Sequence, residues 1–183
     1  MKKLIYPRLW IDIETTGLNH ENDNILEFAY ALQVHSDTAL SFESVQVSHG
    51  TYRLNENTCG MHLNNNLIND CLHKGLPFKV AFDQLAEDLQ NVVKLVNYSP
   101  IQVAGASPHF DLKCLTSSHM MGSANSKFFK QYLHHRVFDV SSLISFAQEK
   151  GFKLKKYNSD HRALGDIENT YETYLELLKR LKL

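Results

Sequence analysis

Short runs of apolar residues bounded by turn residues dominate the first part of the chain. Residues 9–13 form such a run, and a Thr-Thr-Gly turn signal follows soon after, which predicts a buried strand. Residues 25–34 and 41–47 are rich in β-branched and aromatic side chains, with a Ser-Asp pair between them. They predict two further strands that pair antiparallel, although a helix over residues 25–32 is an open alternative.

Apolar residues recur at helical spacing in the rest of the chain. Residues 80–96 carry one such stripe downstream of Pro77, and a second stripe runs from Ile167 to Leu181, so we predict a helix over each. The elements expected between them are strands over 102–104 and 137–140 and helices over 111–121 and 141–150. Strands that come first and then alternate with helices predict an α/β fold, a mixed β-sheet flanked by α-helices.

Composition and charge narrow the class of protein. The 183 residues are 43% hydrophobic and 21% charged, without a repeat or a flexible linker, which predicts one domain over residues 1–183. No apolar run resembles a signal peptide or is long enough to span a membrane. Three cysteines without a CxxC motif predict a reduced, cytoplasmic location. The net charge of −1 argues against non-specific binding of long nucleic acid by charge alone.

Four acidic residues stand at positions where a carboxylate needs an explanation. Asp12 interrupts the first predicted strand, and Glu14 lies on the same face of that strand because it is two residues later. Asp111 begins a predicted helix directly after a strand and a Ser-Pro turn, and Asp166 lies near the start of the last helix, five residues after His161. A buried carboxylate is costly unless it meets a cation or a hydrogen-bond donor. We therefore expect these acids to share a site.

Four carboxylates are enough to neutralise a pair of hard divalent ions. Two ions held by acidic side chains are a common means of breaking phosphodiesters, and carboxylate oxygens favour Mg²⁺ or Mn²⁺ over zinc. His161 is a candidate general base, since the pKa of histidine is close to neutral. In one regular helix His161 and Asp166 would lie about 140° apart. We therefore expect His161 on the loop before the helix, with residues 158–160 supplying the N-cap.

Three segments that carry these residues resemble the three motifs of the DEDDh 3′–5′ exonucleases. They are W-I-D-I-E-T-T-G-L at 10–18, H-F-D at 109–111 and H-R-A-L-G-D at 161–166. Within that superfamily the chain is similar to the oligoribonucleases, through R-V-F-D-V-S-S-L at 136–143 and two shorter segments. The likeness extends from about residue 10 to residue 174. It implies a ribonuclease H-like fold and a two-metal mechanism.

The resemblance also implies roles for individual residues. The metal ligands would be Asp12, Glu14, Asp111 and Asp166, with His161 as the general base. The substrate-binding residues would be Leu18, as a wedge between two bases, and His62, Ser107, Arg136 and Ser141, as a cap on the 5′ phosphate of a short substrate. Structural roles stay open for Arg136, as an ion-pair partner of Asp139 or of a terminal acid, and for the two serines, as helix caps. His135 stands where this family usually has a tyrosine from the partner subunit.

These observations together predict a 3′–5′ exonuclease that hydrolyses short single-stranded RNA to 5′-mononucleotides. The expected cofactors are two Mg²⁺ or Mn²⁺ ions per active site, and the resemblance suggests a homodimer. One alternative is an exonuclease of the proofreading type that acts on single-stranded DNA. The other is a nucleic-acid-binding module of the same fold that has lost its activity.

Overall fold

A mixed β-sheet with helices on both faces organises the chain. The computed structural model describes residues 3–36, 39–49, 56–97, 99–155 and 157–181, and of residues 3 and 56–59 it describes the backbone. The strands are β1 (Lys3–Thr15), β2 (Ile25–His35), β3 (Glu43–Ser48), β4 (Leu76–Pro77), β5 (Gln102–Gly105) and β6 (Phe138–Asp139). The helices are α1 (Glu56–Asn64), α2 (Leu67–Lys74), α3 (Phe78–Leu95), α4 (His109–Thr116), α5 (Ser118–Tyr132), α6 (Val140–Glu149) and α7 (Ala163–Leu181).

The strand order is β4-β3-β2-β1-β5-β6, which places β1 near the centre of the sheet. The pairs β1–β2 and β2–β3 are antiparallel, whereas β1–β5, β5–β6 and β3–β4 are parallel. This arrangement confirms the predicted mixed sheet and the antiparallel pair. The alternative of a helix over residues 25–32 is wrong, because that segment is the buried strand β2.

The two faces of β1 pack against different helices. Leu9, Ile11 and Ile13 point into a hydrophobic core together with residues of α3, α4 and α5. On the other face Trp10 packs against residues of α6 and α7, with its ring 4.9 Å from that of Tyr171. Because side chains alternate along a strand, the acids that follow Trp10 on its face also point towards α7.

The helix predicted over residues 111–121 is wrong in its extent, because the structure has two helices there. The first is α4, and Ser117 between the two has an extended backbone, with φ −71° and ψ 130°. Its hydroxyl accepts hydrogen bonds from the backbone N–H groups of His119 and Met120, so it caps α5. A serine that satisfies these otherwise unpaired donors favours a new helix start over a continuous helix.

The structure describes the side chains of two of the three cysteines. Cys71 and Cys114 are buried free thiols, and the side chain of Cys59 lies outside the described residues. Within the described ranges, none of the helices combines the length and the apolar character needed to cross a membrane.

An ion pair between β2 and the segment before α7 joins the sheet to that helix. The side chain of Glu27 is 1% exposed, and its two oxygens accept hydrogen bonds from Arg162 Nη2 at 2.8 Å and Nε at 3.1 Å. The same guanidinium lies 3.0 Å from Asp70, and the Gln46 amide donates to Glu27 at 2.6 Å. Burial alone would raise the pKa of Glu27, but these hydrogen bonds lower it, so the carboxylate stays charged.

Replacing Arg162 by leucine should strongly destabilise the protein, because it leaves the buried Glu27 without its cation. We expect the free energy of unfolding to fall by about 3 kcal/mol, as for other broken buried ion pairs. Urea denaturation measures this change. The control is Lys79→Ala, which breaks an exposed ion pair with Asp83 on α3 and should cost less than about 0.5 kcal/mol. Equal losses for the two variants would contradict the structural role of the buried pair.

Candidate active site

The acidic face of β1 opens into a cavity of about 380 Å³ beside the first turns of α4 and α7. All the predicted metal ligands and the predicted base line this cavity: Asp12, Glu14, Asp111, His161 and Asp166. Ligand atoms of Glu14, His161 and Asp166 lie within 4.8 Å of one another. Residues that are up to 154 positions apart in the chain thus meet at one place.

Close packing of β5 against β1 shapes one wall of the cavity. A β-carbon at Gly105 would lie 2.9 Å from the backbone oxygen of Ile11, so a larger residue there would push the strands apart beside Asp12. The chain then turns through Ser107, whose φ of 56° is in the left-handed region. That turn leads into α4, which carries Asp111 in its first turn.

His161 lies on the loop before α7, as predicted, and its backbone is held in a strained conformation. Its φ of 55° is in the left-handed region, which side chains other than glycine adopt at a cost of about 1 kcal/mol. The Asn65 amide donates to the backbone oxygens of His161 at 2.6 Å and Asp160 at 3.0 Å. The Ser159 hydroxyl accepts from the His161 N–H at 3.0 Å. Contacts from two segments therefore fix the position of this residue.

The predicted N-cap of α7 is wrong, because the acceptor comes from another part of the chain. The first N–H of the helix, that of Ala163, donates to Glu27 of β2 at 3.0 Å. Ser159 and Asp160 shape the preceding loop instead: the Ser159 hydroxyl donates to Asp166 at 2.7 Å, and Asp160 accepts from the Arg162 N–H at 3.2 Å. A strand that neighbours α7 only in the fold supplies the cap, which local sequence cannot reveal.

The carboxyl groups in the cavity are difficult to ionise together. Burial, followed by the charges of Asp166 and Glu27, raises the pKa of Asp12 to about 7. Burial and the neighbouring acids raise the pKa of Glu14 to about 9. Burial also raises the pKa of Asp111 well above its ordinary value and raises that of Asp166. Such a set of oxygen ligands gains most from a bound cation, and its chemistry fits a hard divalent ion.

Three of the predicted substrate-binding residues also line this cavity: Leu18, His62 and Ser107. Leu18 is 80% exposed at its rim, where an apolar side chain is free to contact a ligand. His62 is buried, and its Nε2 lies 2.9 Å from the Thr15 backbone oxygen. Burial lowers the pKa of His62, so the ring is neutral and Nε2–H is the donor to that oxygen. Its predicted contact with a 5′ phosphate would therefore be made by an uncharged ring.

The two predicted serines lie side by side. The Ser107 hydroxyl is 3.3 Å from that of Ser141, and Ser107 lines the cavity. Asp139 holds both, because its Oδ1 accepts from the backbone N–H of Ser107 at 3.0 Å and of Ser141 at 2.9 Å. Asp139 is thus the N-cap of α6. The capping role considered for Ser141 is therefore wrong, because Asp139 fills it.

Two predicted site residues do not line this cavity: Ser141, which is next to it through Ser107, and Arg136. Arg136 lines a separate cavity of about 630 Å³ together with Arg8, Phe138 and Tyr174. The Arg8 guanidinium lies 3.6 Å from the centre of the Phe138 ring and donates to the Tyr174 hydroxyl at 2.9 Å. A contact of Arg136 with a substrate phosphate stays a prediction.

Sequence reasoning missed two residues that support the site, Glu27 and Asn65. Glu27 gave a readable signal, because it is an acid inside a run of buried strand residues, like Asp12. Asn65 gave none, since its contacts with His161 join segments 96 residues apart.

Several known proteins with a similar sequence or fold are nucleases. The RNase_T exonuclease family model matches residues 9–174. The oligoribonuclease of Baumannia cicadellinicola is 31% identical, over 88% of this chain and 86% of that protein. The probable oligoribonuclease of Schizosaccharomyces pombe is 26% identical, over 91% of this chain and 65% of that protein. Exonuclease I from Methylocaldum szegediense superposes with a TM-score of 0.63 at 14% identity, over 96% of this chain and 40% of that chain.

The raised pKa of Asp12 predicts that the metal-free protein loses stability as the pH rises. The folded protein keeps a proton on Asp12 up to about pH 7, whereas the unfolded chain releases it near pH 3.8, so stability falls across that window. Asparagine cannot ionise. We therefore expect Asp12→Asn to stabilise the metal-free protein by about 2 kcal/mol at pH 8 and to change little at pH 4.

Thermal unfolding in the presence of a chelator at the two pH values tests this expectation. The control is Asp83→Asn on the exposed face of α3, which should leave the midpoint unchanged at both. A gain in stability that is the same at pH 4 and pH 8 would contradict the assignment to ionisation of Asp12.

Proposed function

We propose that this chain, which belongs to the RNase_T exonuclease family, is a 3′–5′ exonuclease that hydrolyses short single-stranded RNA to 5′-mononucleotides. The observation that carries the proposal is the convergence of Asp12, Glu14, Asp111, Asp166 and His161 on one cavity. The curated relatives named oligoribonucleases support RNA as the substrate. The likeness to exonuclease I concerns the fold and leaves the sugar of the substrate open.

The four carboxylates would hold two divalent ions, with Mg²⁺ or Mn²⁺ as the best match for oxygen ligands. The ions would supply positive charge at the scissile phosphate and lower the pKa of the attacking water. One oxygen of Glu14 and one of Asp166 lie within 4.8 Å of a ring nitrogen of His161. Ions held by these acids would therefore bind the substrate phosphate close to His161.

The hydrogen bonds around His161 suit a general base. The Ser159 hydroxyl donates its proton to Asp166, so the contact of 3.4 Å between Ser159 Oγ and His161 Nδ1 requires the proton on Nδ1. The lone pair is then on Nε2, which is free to accept a proton from water. In the reaction a water oxygen bonds to phosphorus and Nε2 takes the proton. The bond to the 3′ oxygen of the upstream nucleoside breaks, and that oxygen takes a proton from solvent water to become a hydroxyl.

Leu18 at the rim and the paired serines would contact the nucleotides on either side of the scissile phosphate. A homodimer and a cytoplasmic location stay predictions, the first from the resemblance to the oligoribonucleases and the second from the cysteine content. The alternatives of a DNA exonuclease and of an inactive binding module are outcomes of the experiment that follows.

The direct test is a length series of 5′-labelled RNA and DNA oligomers incubated with Mg²⁺. We expect the label to move stepwise to shorter products, with the fastest turnover on short RNA. Asp166→Ala should reduce the rate at least about 1,000-fold with an unchanged circular dichroism spectrum, because it removes a metal ligand. Asp83→Ala is the matched control on α3 and should turn over normally.

The pattern of results separates the alternatives. A strong preference for long DNA would favour the proofreading type. Absence of hydrolysis with either Mg²⁺ or Mn²⁺ would favour the binding module. Near-normal activity of Asp166→Ala would contradict the ligand assignment.

A second prediction concerns His161 alone. Replacing it by alanine removes the proton acceptor and leaves all four carboxylates, so the rate should fall by about 100- to 10,000-fold while the affinity for Mn²⁺ changes little. Single-turnover kinetics and calorimetric Mn²⁺ titration measure the two quantities. His73→Ala, at an exposed position of α2, is the control. A loss of Mn²⁺ affinity as large as the loss of rate would show that His161 acts as a ligand.

A further inference from the structure

The cavity of about 630 Å³ that Arg8 lines is a space of its own, and we name it the arginine pocket. It shares no lining residue with the acidic cavity of the active site. Arg8, Trp10 and Asp12 lie on the same face of β1, and Trp10 between the other two is fully buried. At about 3.3 Å per residue, the α-carbons of Arg8 and Asp12 are about 13 Å apart. A buried aromatic side chain therefore separates the two cavities.

The guanidinium of Arg8 has N–H groups that the chain leaves without an acceptor. Its Nη1 donates to the Tyr174 hydroxyl at 2.9 Å. Its Nε is buried and has no hydrogen-bond partner, and Nη2 has none among the described residues. A buried donor without an acceptor lowers stability. The edge formed by Nε and Nη2 is thus prepared for an acceptor from outside the chain.

The charge of the pocket favours an anion as that acceptor. Arg136, which is exposed, also lines the pocket, and the described lining residues include no acid. None of the ion pairs that the described residues form with one another includes either arginine. The planar fork of a guanidinium binds two oxygens of a phosphate or a carboxylate. A phosphate monoester carries about −1.5 to −2 charges, which matches two arginines better than a carboxylate does.

Aromatic rings form much of the remaining wall. The rings of Tyr6, Phe138 and Tyr174 line the pocket. The Arg8 guanidinium covers one side of the Phe138 ring, at 3.6 Å from its centre. Small-molecule sites typically combine such apolar walls with a few polar groups, in volumes of roughly 300–1,000 Å³. The lining therefore suits a ligand that joins an anion to an aromatic body.

We propose that the arginine pocket binds a phosphate monoester with an aromatic body, the class to which nucleoside 5′-monophosphates belong. Nε and Nη2 of Arg8 donate to two phosphate oxygens, and the aromatic body of the ligand lies against the Tyr6 ring. This binding goes beyond the proposed hydrolysis, because it needs neither the carboxylates of the acidic cavity nor a metal ion.

Calorimetric titration with adenosine 5′-monophosphate (AMP) in the presence of a chelator isolates the arginine pocket. Without metal ions the four carboxylates of the acidic cavity repel a phosphate, so AMP binds there poorly. We expect AMP to bind the unmodified protein under these conditions. Adenosine and inorganic phosphate each lack one half of the ligand and should bind at least about tenfold more weakly.

Replacing Arg8 by methionine removes the charge and keeps an unbranched side chain. The affinity for AMP should fall at least about tenfold, because charge-assisted hydrogen bonds are lost. The matched control is Arg180→Met, at an exposed position of α7 outside the pocket, and it should bind AMP like the unmodified protein.

Two variants at Ile5 test the same charge preference without disturbing a packed residue, since this side chain is 90% exposed at the edge of the pocket. In low salt Ile5→Glu should weaken AMP binding and Ile5→Lys should strengthen it, each by about two- to fivefold.

Three results would overturn the proposal: AMP binding that requires Mg²⁺, adenosine that binds as tightly as AMP, and equal AMP affinity of the two Ile5 variants. Loss of RNA hydrolysis alone would not do so. If the protein binds AMP as expected and hydrolyses no RNA, the proposed catalytic function fails and the arginine pocket is supported.

Discussion

Mutual repulsion among buried carboxylates is the constraint on which the rest of the structure depends. Asp12, Glu14, Asp111 and Asp166 share one cavity, and burial makes each of them resist ionisation. A fold that brings such groups together must stabilise itself elsewhere. The apolar cores on the two faces of the sheet and the ion pair of Glu27 with Arg162 supply that stability. The cluster is therefore prepared for cations before any are bound.

Much of this architecture could be predicted from the sequence because the signals were local. The alternation along β1 places Leu9, Ile11 and Ile13 on one face and puts Asp12 with Glu14 on the other, and both consequences hold in the structure. The spacing between His161 and Asp166 correctly predicted that the histidine precedes the helix. Local rules work here because strand and helix periodicity is a property of neighbouring residues.

Contacts between distant segments lay beyond that reasoning. Arg136 belongs to a segment that resembles a known motif, yet it lines a separate cavity together with Arg8, which is far away in sequence. The cap of α7 comes from Glu27 rather than from the adjacent polar residues. The break at Ser117 reflects a competition between a serine cap and a continuous helix, which periodicity cannot decide.

The position of Glu27 has a consequence for the electrostatic potential in the acidic cavity. Its own hydrogen bonds keep it ionised, and its charge is one of the influences that raise the pKa values of Asp12 and Glu14. The same oxygens that anchor the loop of His161 therefore add to the negative potential of the neighbouring cavity. An acid that is absent from the lining of that cavity thus influences both the position of His161 and the pKa values of Asp12 and Glu14.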